Sequence, residues 1–169
     1  VSEAQIQSCR KAYQLPPRFI LSVATLEPRK NLPRLIDAFE QLPESIRQTY
    51  PLVVCGARGW QSHQLRQKLA TLQQKHQAYC LGYVDQHHLP ALYAAASLCA
   101  YVSLYEGFGM PVAESMAAGT AVLTSCASSM PEVAGDAAML VPPQDTQAIT
   151  QALQTLLENN TLRQKLADK

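Results

Sequence analysis

The sequence carries almost no excess charge. Its 14 Lys and Arg face 13 Asp and Glu, so the formal net charge is 14 − 13 = +1. That excludes a broad basic field able to hold nucleic acid through its phosphates alone, and no polybasic run marks an anionic membrane surface. No apolar run reaches the roughly 18–20 residues that a spanning helix needs, and no signal peptide opens the chain. There is no Cys-x-x-Cys pair. The five cysteines, Cys9, Cys55, Cys80, Cys99 and Cys126, are odd in number and scattered. Four sit in apolar stretches, so they read as reduced core thiols of a cytoplasmic protein rather than a disulfide frame or zinc site. His63, His76, His87 and His88 show no metal spacing, and no Ser-His-Asp or Asp-rich constellation is present. No catalytic metal is therefore predicted.

What is there is a chain of 169 residues, 47% hydrophobic and 16% charged. That is enough to bury about 70% of its unfolded surface in one core. It begins at Val1 and not at a methionine, which reads as a fragment or a trimmed chain. Residues 1–18 read as a helical turn or two that stops at Pro16-Pro17, where proline forbids a continuing helix. They are assigned to an interdomain link, and residues 19–169 to the domain itself. Short, nearly continuous apolar runs follow at 19–25, 52–55, 78–81, 98–102, 121–125 and 138–141. That is the pattern of strands buried on both faces of a parallel sheet.

Helical stripes lie between the runs. Leu32, Leu35, Ile36, Phe39 and Leu42 share one face, with Asn31 as the predicted N-cap. Leu65, Leu69 and Leu72 form a second stripe after Ser62. Asp85 is the predicted cap of a third helix running through Ala96. Asp145 caps a fourth, and a last helix starts near Asn160. Strand–helix alternation at this spacing predicts a single doubly wound, Rossmann-like α/β sheet. Ligands of such sheets sit beyond the carboxyl ends of the strands, so function is sought in the loops there.

After the first strand, Arg29-Lys30 precede a helix at once. Two adjacent cations there make an anion site: Arg grips a phosphate with two parallel bonds and Lys adds a compact charge. After the fourth, Glu106-Gly107-Phe108-Gly109 leads into an apolar helix. Glycines there let the backbone approach a ligand and expose N–H groups to it. Glu114 is a carboxylate in that apolar helix and needs a partner. A basic side chain would make it a structural ion pair; vicinal hydroxyls of a ribose or hexose would make it a ligand. Left unpartnered in the empty domain, it would make Glu114→Ala stabilising. Gly56, in the turn Gly56-Ala57-Arg58-Gly59-Trp60, allows close approach at the same edge. Tyr83 and Val84 stand where a flat base could lie, and packing serves them equally well.

Taken together, the segments VATLEPRKN, VVCGARGW, LGYVDQHHL, SLYEGFGMPVAESMAAGT and SSMPEVAGDAAMLVPPQD closely resemble the C-terminal, donor-binding half of the retaining glycosyltransferases of family 4, which have the GT-B architecture. The resemblance runs from about Phe19 to the C-terminus. Its most specific element is Glu-x7-Glu, Glu106 to Glu114. The family implies transfer of a hexosyl group, mannosyl among the options, to a glycan or lipid-linked acceptor in carbohydrate biosynthesis. The donor would be a GDP- or UDP-linked sugar, with no cofactor and no metal. By resemblance, Arg29 and Lys30 hold the diphosphate and stabilise the leaving group. Gly107, Phe108 and Gly109 offer N–H groups, Glu106 binds hydroxyls of the transferred sugar, and Glu114 binds the ribose. Tyr83 and Val84 lie beside the base, and Gly56 is counted with the donor-binding residues. Ala24-Thr25 stand where the family usually has Gly and often Arg. The N-terminal domain that carries the acceptor site is absent from this chain, so the isolated domain is expected to be inactive alone. A peripheral membrane contact of the full enzyme stays open.

Three other readings compete. A phosphorylase half would need a pyridoxal-binding lysine motif, and none is seen. A sugar-nucleotide epimerase half would show a different Glu-His arrangement. A non-catalytic receiver-like domain would want an acidic cluster at the strand ends, where Thr25, Cys55 and Leu81 stand instead.

Overall fold

A computed structural model describes residues 1–25, 27–56 and 63–169. Element by element, the chain runs α1 (Glu3–Ala12), β1 (Ile20–Val23), a 3-10 turn (Pro28–Lys30), α2 (Leu32–Glu40), α3 (Glu44–Thr49), β2 (Leu52–Cys55), α4 (His63–Gln74) and β3 (Ala78–Gly82). It continues through α5 (Leu89–Ala95), β4 (Leu98–Tyr101), α6 (Met110–Ala117), β5 (Val122–Ser125), α7 (Met130–Ala134), β6 (Ala138–Val141), α8 (Thr146–Glu158) and α9 (Asn160–Ala167). Among the described residues the strands form one six-stranded sheet in the order β3-β2-β1-β4-β5-β6. Every pairing is parallel. This is the doubly wound α/β sheet that the alternation predicts.

Period-two alternation splits the core into two layers. Ile20, Leu52, Val54 and Leu98 face a layer completed by α2, α4 and α8. Leu21, Val53, Cys55 and Cys99 face the other, completed by α1, α5, α6 and α7. On α2 the stripe Leu32, Leu35, Ile36 and Phe39 is buried, and each such side chain contributes about 1.5–3 kcal/mol. The two edge strands are less covered, β3 most of all. Cys80, on that open edge, is exposed, as is Cys126 beyond β5, so only Cys9, Cys55 and Cys99 are the core thiols expected. Burial pushes the Cys55 thiol up to about 11 and Cys99 up to about 12.

Two cap assignments change. Asp85 accepts from the His87 N–H within a turn, and α5 starts only at Leu89. Asn31 sits at the N-cap of α2 in the left-handed region (φ 59°) with no capping bond. Its side chain instead donates to the carbonyls of Val102 and Pro143, at 2.9 and 2.7 Å. Asp145 does cap α8 through the Ala148 N–H.

The N-terminal segment is more structured than its sequence suggests. Ser2 closes a capping box with Gln5 and starts a ten-residue helix. That helix packs on α5: Cys9 is fully buried, Arg10 donates to the Ala95 carbonyl, and Tyr13 Oη lies 3.0 Å from His88 Nδ1. No helix among the described residues is long and apolar enough to cross a membrane.

Candidate functional site

Successive strands are added outward in one direction from β1 to β3 and in the other from β4 to β6. β1 and β4 therefore flank the point where the winding reverses, and the crevice outside their carboxyl ends is the natural ligand position. The loops after those two strands are tied together there. The Leu104 N–H donates to the Arg29 carbonyl at 2.8 Å, and Asn31 donates to the Val102 carbonyl. Arg29 and Lys30 lie in the 3-10 turn, with Asn31 between them and α2, rather than in the first turn of the helix.

Both cations reach one carboxylate. Arg29 Nη1 is 2.7 Å from Glu106 Oε2, and Lys30 Nζ is 2.8 Å from Glu106 Oε1. Oε1 also accepts from the Tyr101 and Ser103 hydroxyls, at 2.7 and 2.8 Å. The Tyr101 hydroxyl in turn accepts from Lys30 at 2.6 Å. Glu106 is only 7% exposed. Burial by itself would raise its pKa, but the hydrogen bonds from Lys30, Tyr101 and Ser103 outweigh that and hold it below the ordinary carboxylate value. The Tyr101 phenol is pushed up by burial and by Glu106, so it stays protonated and able to donate. Oε1 is thus filled by three donors, while among the described residues Oε2 takes only Arg29 and keeps acceptor capacity. On its outer side Arg29 also pairs with Glu27, at 2.8 Å.

The backbone of Glu106 is clamped from the loop between β5 and α7. Ser128 Oγ donates to the Glu106 carbonyl at 2.6 Å and accepts from its N–H at 3.3 Å. Ser129 Oγ donates to the carbonyls of Glu106 and Phe108. Among the described residues the N–H groups of Gly107, Phe108 and Gly109 have no acceptor. Gly109 lies at φ 94°, and a Cβ there would come within 2.2 Å of Met130 Cε. A Cβ on Gly107 would meet open space. So only the second glycine is required by the fold of the turn. Gly56 is more constrained still: an added Cβ would lie 2.0 Å from the Ala24 carbonyl oxygen.

Glu114 stands apart from this network. It is half-buried on α6, and Oε2 accepts from the Tyr93 hydroxyl at 2.8 Å. Among the described residues no cation pairs with it. The carboxylate in an ion-pair cluster is Glu106 instead. Tyr83 is 73% exposed, whereas Val84 is 4% exposed and packs in the core, so its side chain offers a base no surface. Ala57, Arg58, Gly59, Trp60 and Ser62 lie outside the described residues. Tyr101, Ser103, Ser128 and Tyr93 carry site contacts that no sequence motif assigned. The available signal was polar groups at 101 and 103, alternate positions at an apolar strand end that both face Glu106.

The chain belongs to the family described as glycosyl transferases group 1, whose profile matches residues 6–169. Its fold and motifs are those of the C-terminal domain of a GT-B glycosyltransferase. It is 38% identical to the O-antigen chain mannosyltransferase B of Escherichia coli over 164 residues, 96% of this chain and 43% of that protein. It is 37% identical to the serotype-specific mannosyltransferase WbdA of Escherichia coli, over 98% of this chain and 20% of that protein. Among solved structures, Anabaena HepE in complex with UDP and glucose aligns at a TM-score of 0.83 and 23% identity, over 99% of this chain and 46% of that one. The chain therefore spans less than half the length of these relatives.

Proposed function

We propose that the chain is the nucleotide-sugar-binding domain of a retaining, metal-independent hexosyltransferase, and that the hexose is mannose. The donor is a GDP- or UDP-linked sugar. The observation that carries this is the meeting of Arg29, Lys30 and Glu106 beside the amides of residues 107–109, which have no acceptor among the described residues, at the switch point of the sheet. Arg29 and Lys30 hold the diphosphate and stabilise charge on the departing phosphate. These amides add donors without a metal ion. Glu106 Oε2 accepts from a hydroxyl of the transferred sugar, and Glu114 from the ribose. Relatives more than twice as long support a second domain, reached through residues 1–18, that brings the acceptor. The full enzyme works in the cytoplasm, with a peripheral membrane contact where the acceptor is lipid-linked.

Calorimetry with GDP, UDP and ADP, in chelator and in magnesium, tests the reading. Weak binding of at least one nucleotide in chelator is expected. A folded sample that binds none of the three overturns the function, and binding that requires magnesium overturns the side-chain neutralisation. The anomeric configuration of the full-length enzyme's product, read by NMR, tests retention.

A further inference from the structure

Glu114 borders a cavity of its own. About 460 Å³ in volume, it lies where α5 begins and α6 ends, and Leu89, Pro90, Tyr93, Glu114, Ala117 and Ala118 line it. None of the Arg29–Lys30–Glu106 cluster takes part. A carboxylate on this wall can bind a ligand selectively only if its orientation is fixed, because a free Glu side chain has three soft torsions to freeze on binding.

The helix beneath it is fixed. At its end, Gly119 lies at φ 71°, the Gly119 N–H reaches the Met116 carbonyl and the Thr120 N–H reaches Ser115, a Schellman closure. What the helix leaves free is the Glu114 side chain, and Tyr93 holds that. Its ring is 1% exposed in the core layer, and its carbonyl accepts from Thr120 Oγ1 at 2.7 Å. The phenol oxygen therefore stands on a rigid support joined to the same loop that ends α6. Burial, with the neighbouring thiol and carboxylate, pushes its pKa far up, so it is a donor throughout the usable pH range. A phenol has one proton to give, and here Glu114 Oε2 takes it. Oε1 has no partner among the described residues.

We propose that Tyr93 is a positioning residue: it pins one oxygen of Glu114 so that the other meets the vicinal diol of a ribonucleoside seated in this cavity. The inference rests on the reading of Glu114 as the ribose ligand. It assigns to Tyr93 a share of the preference for ribose over a sugar lacking both hydroxyls.

The test compares GDP, UDP and ADP with their 2′,3′-dideoxy counterparts, by calorimetry on the whole chain. Tyr93→Phe removes one oxygen atom. It is expected to weaken the ribonucleotide about three- to tenfold, less than the loss of a whole hydrogen bond to a charged group, because the Glu114 carboxylate stays and only its orientation is freed. The dideoxy nucleotide should bind as it does to the wild type. In the Glu114→Ala background Tyr93→Phe should add no further loss. Equal weakening of both nucleotides, wild-type binding by Tyr93→Phe, or an undiminished loss in the Glu114→Ala background would each reduce Tyr93 to packing and overturn the inference. Glu114→Gln gives an independent check. Its amide oxygen can still accept from Tyr93, which turns the NH₂ group to the ligand. It should keep the melting temperature yet weaken the ribose preference, because an NH₂ can donate to a ribose hydroxyl but cannot accept from one, and a preference equal to the wild type's overturns the pinning. If the wild type binds nucleotides without distinguishing ribose from dideoxyribose, the reading of Glu114 itself fails, and this inference with it. If it distinguishes them and Tyr93→Phe distinguishes them by the same factor, only the role of Tyr93 fails.

Discussion

Lys30 and Glu106 are 76 positions apart in the chain, and their charged ends are 2.8 Å apart. The sheet causes this. β1 and β4 pair side by side, with Ile20 opposite Leu98, although two helix-bearing units separate them in sequence. Each strand delivers its following loop to the same edge, and the Arg29 carbonyl and the Asn31 side chain sew those loops together. The cluster balances two cations, Arg29 and Lys30, against two carboxylates, Glu27 and Glu106, for a local sum of 2 − 2 = 0. An incoming diphosphate must therefore share these cations with carboxylates already in place. Arg29, with 43% of its side chain exposed, is the freer of the two, and Lys30, at 11%, is the fixed one.

The depressed pKa of Glu106 contributes a pH dependence to stability. Its folded value lies below its unfolded one, so its contribution is present above the ordinary carboxylate range, near ~4.3. It fades as pH falls through the folded value. Glu106→Gln should cost about 1–2 kcal/mol at pH 7, less than a fully desolvated pair would, because Arg29 is largely in water. The gap between wild type and variant should stay constant from pH 7 to 6 and close below about pH 4. Thermal melts across that range measure it, and a gap that widens in acid would reverse the assigned sign.

The two glycines of the turn should behave differently. Gly109→Ala meets both a strained φ of 94° and the Met130 side chain, and should destabilise by about 1–3 kcal/mol. Met130→Ala in the same chain should relieve the clash but not the backbone strain. Met130 is itself fully buried, so its truncation costs about 2–5 kcal/mol. The relief is therefore read against Met130→Ala alone, where Gly109→Ala should add only the strain of about 1–2 kcal/mol. Gly107→Ala has open space and no such φ, so the fold should be unaffected, within about 0.5 kcal/mol. Any loss of nucleotide-sugar binding in Gly107→Ala then reports on the ligand's approach to the backbone. Urea unfolding and calorimetry on these variants separate the effects.

The strands were legible because they are buried on both faces and therefore read as unbroken apolar runs; β2 and β6 fall on 52–55 and 138–141 as predicted. The Arg29–Lys30–Glu106 meeting was legible because a doubly wound sheet gathers strand ends. What stayed hidden depends on side-chain direction. Nothing local tells that Asn31 reaches across to Pro143, 112 positions away, instead of capping its own helix. Nothing local tells that Tyr93 on α5 meets Glu114 on α6. α3 was missed because its six residues, ESIRQT, carry too little apolar pattern, and only Ile46 is buried.

Asn31 should be one of the stability determinants of the site. It is 6% exposed, donates to two carbonyls from different strand ends, and holds a left-handed φ of 59°. Asn31→Ala leaves both carbonyls short of a donor and strains the backbone, for about 2–4 kcal/mol in all. Asn31→Gly keeps the φ and should recover about 1 kcal/mol of that. Denaturant midpoints compare the three chains, and equal losses for alanine and glycine would show that the backbone conformation contributes nothing.

Glu114 reverses an expectation drawn from composition. An unpartnered carboxylate in an apolar helix would make Glu114→Ala stabilising. Here the carboxylate is half-buried and is the acceptor for a phenol that is almost wholly buried. Removing it strands the Tyr93 hydroxyl, and an unsatisfied buried donor costs about 1–3 kcal/mol. Glu114→Ala should therefore lower the melting temperature. Tyr93→Phe in the same chain removes the stranded donor and should restore much of the loss, because replacing both partners of a hydrogen bond by apolar groups is close to neutral. A double-mutant cycle on unfolding free energies gives the coupling, expected at about 1 kcal/mol. Two additive losses would mean that the hydroxyl finds water when Glu114 is gone, and that the pair contributes to ligand binding without contributing to the fold.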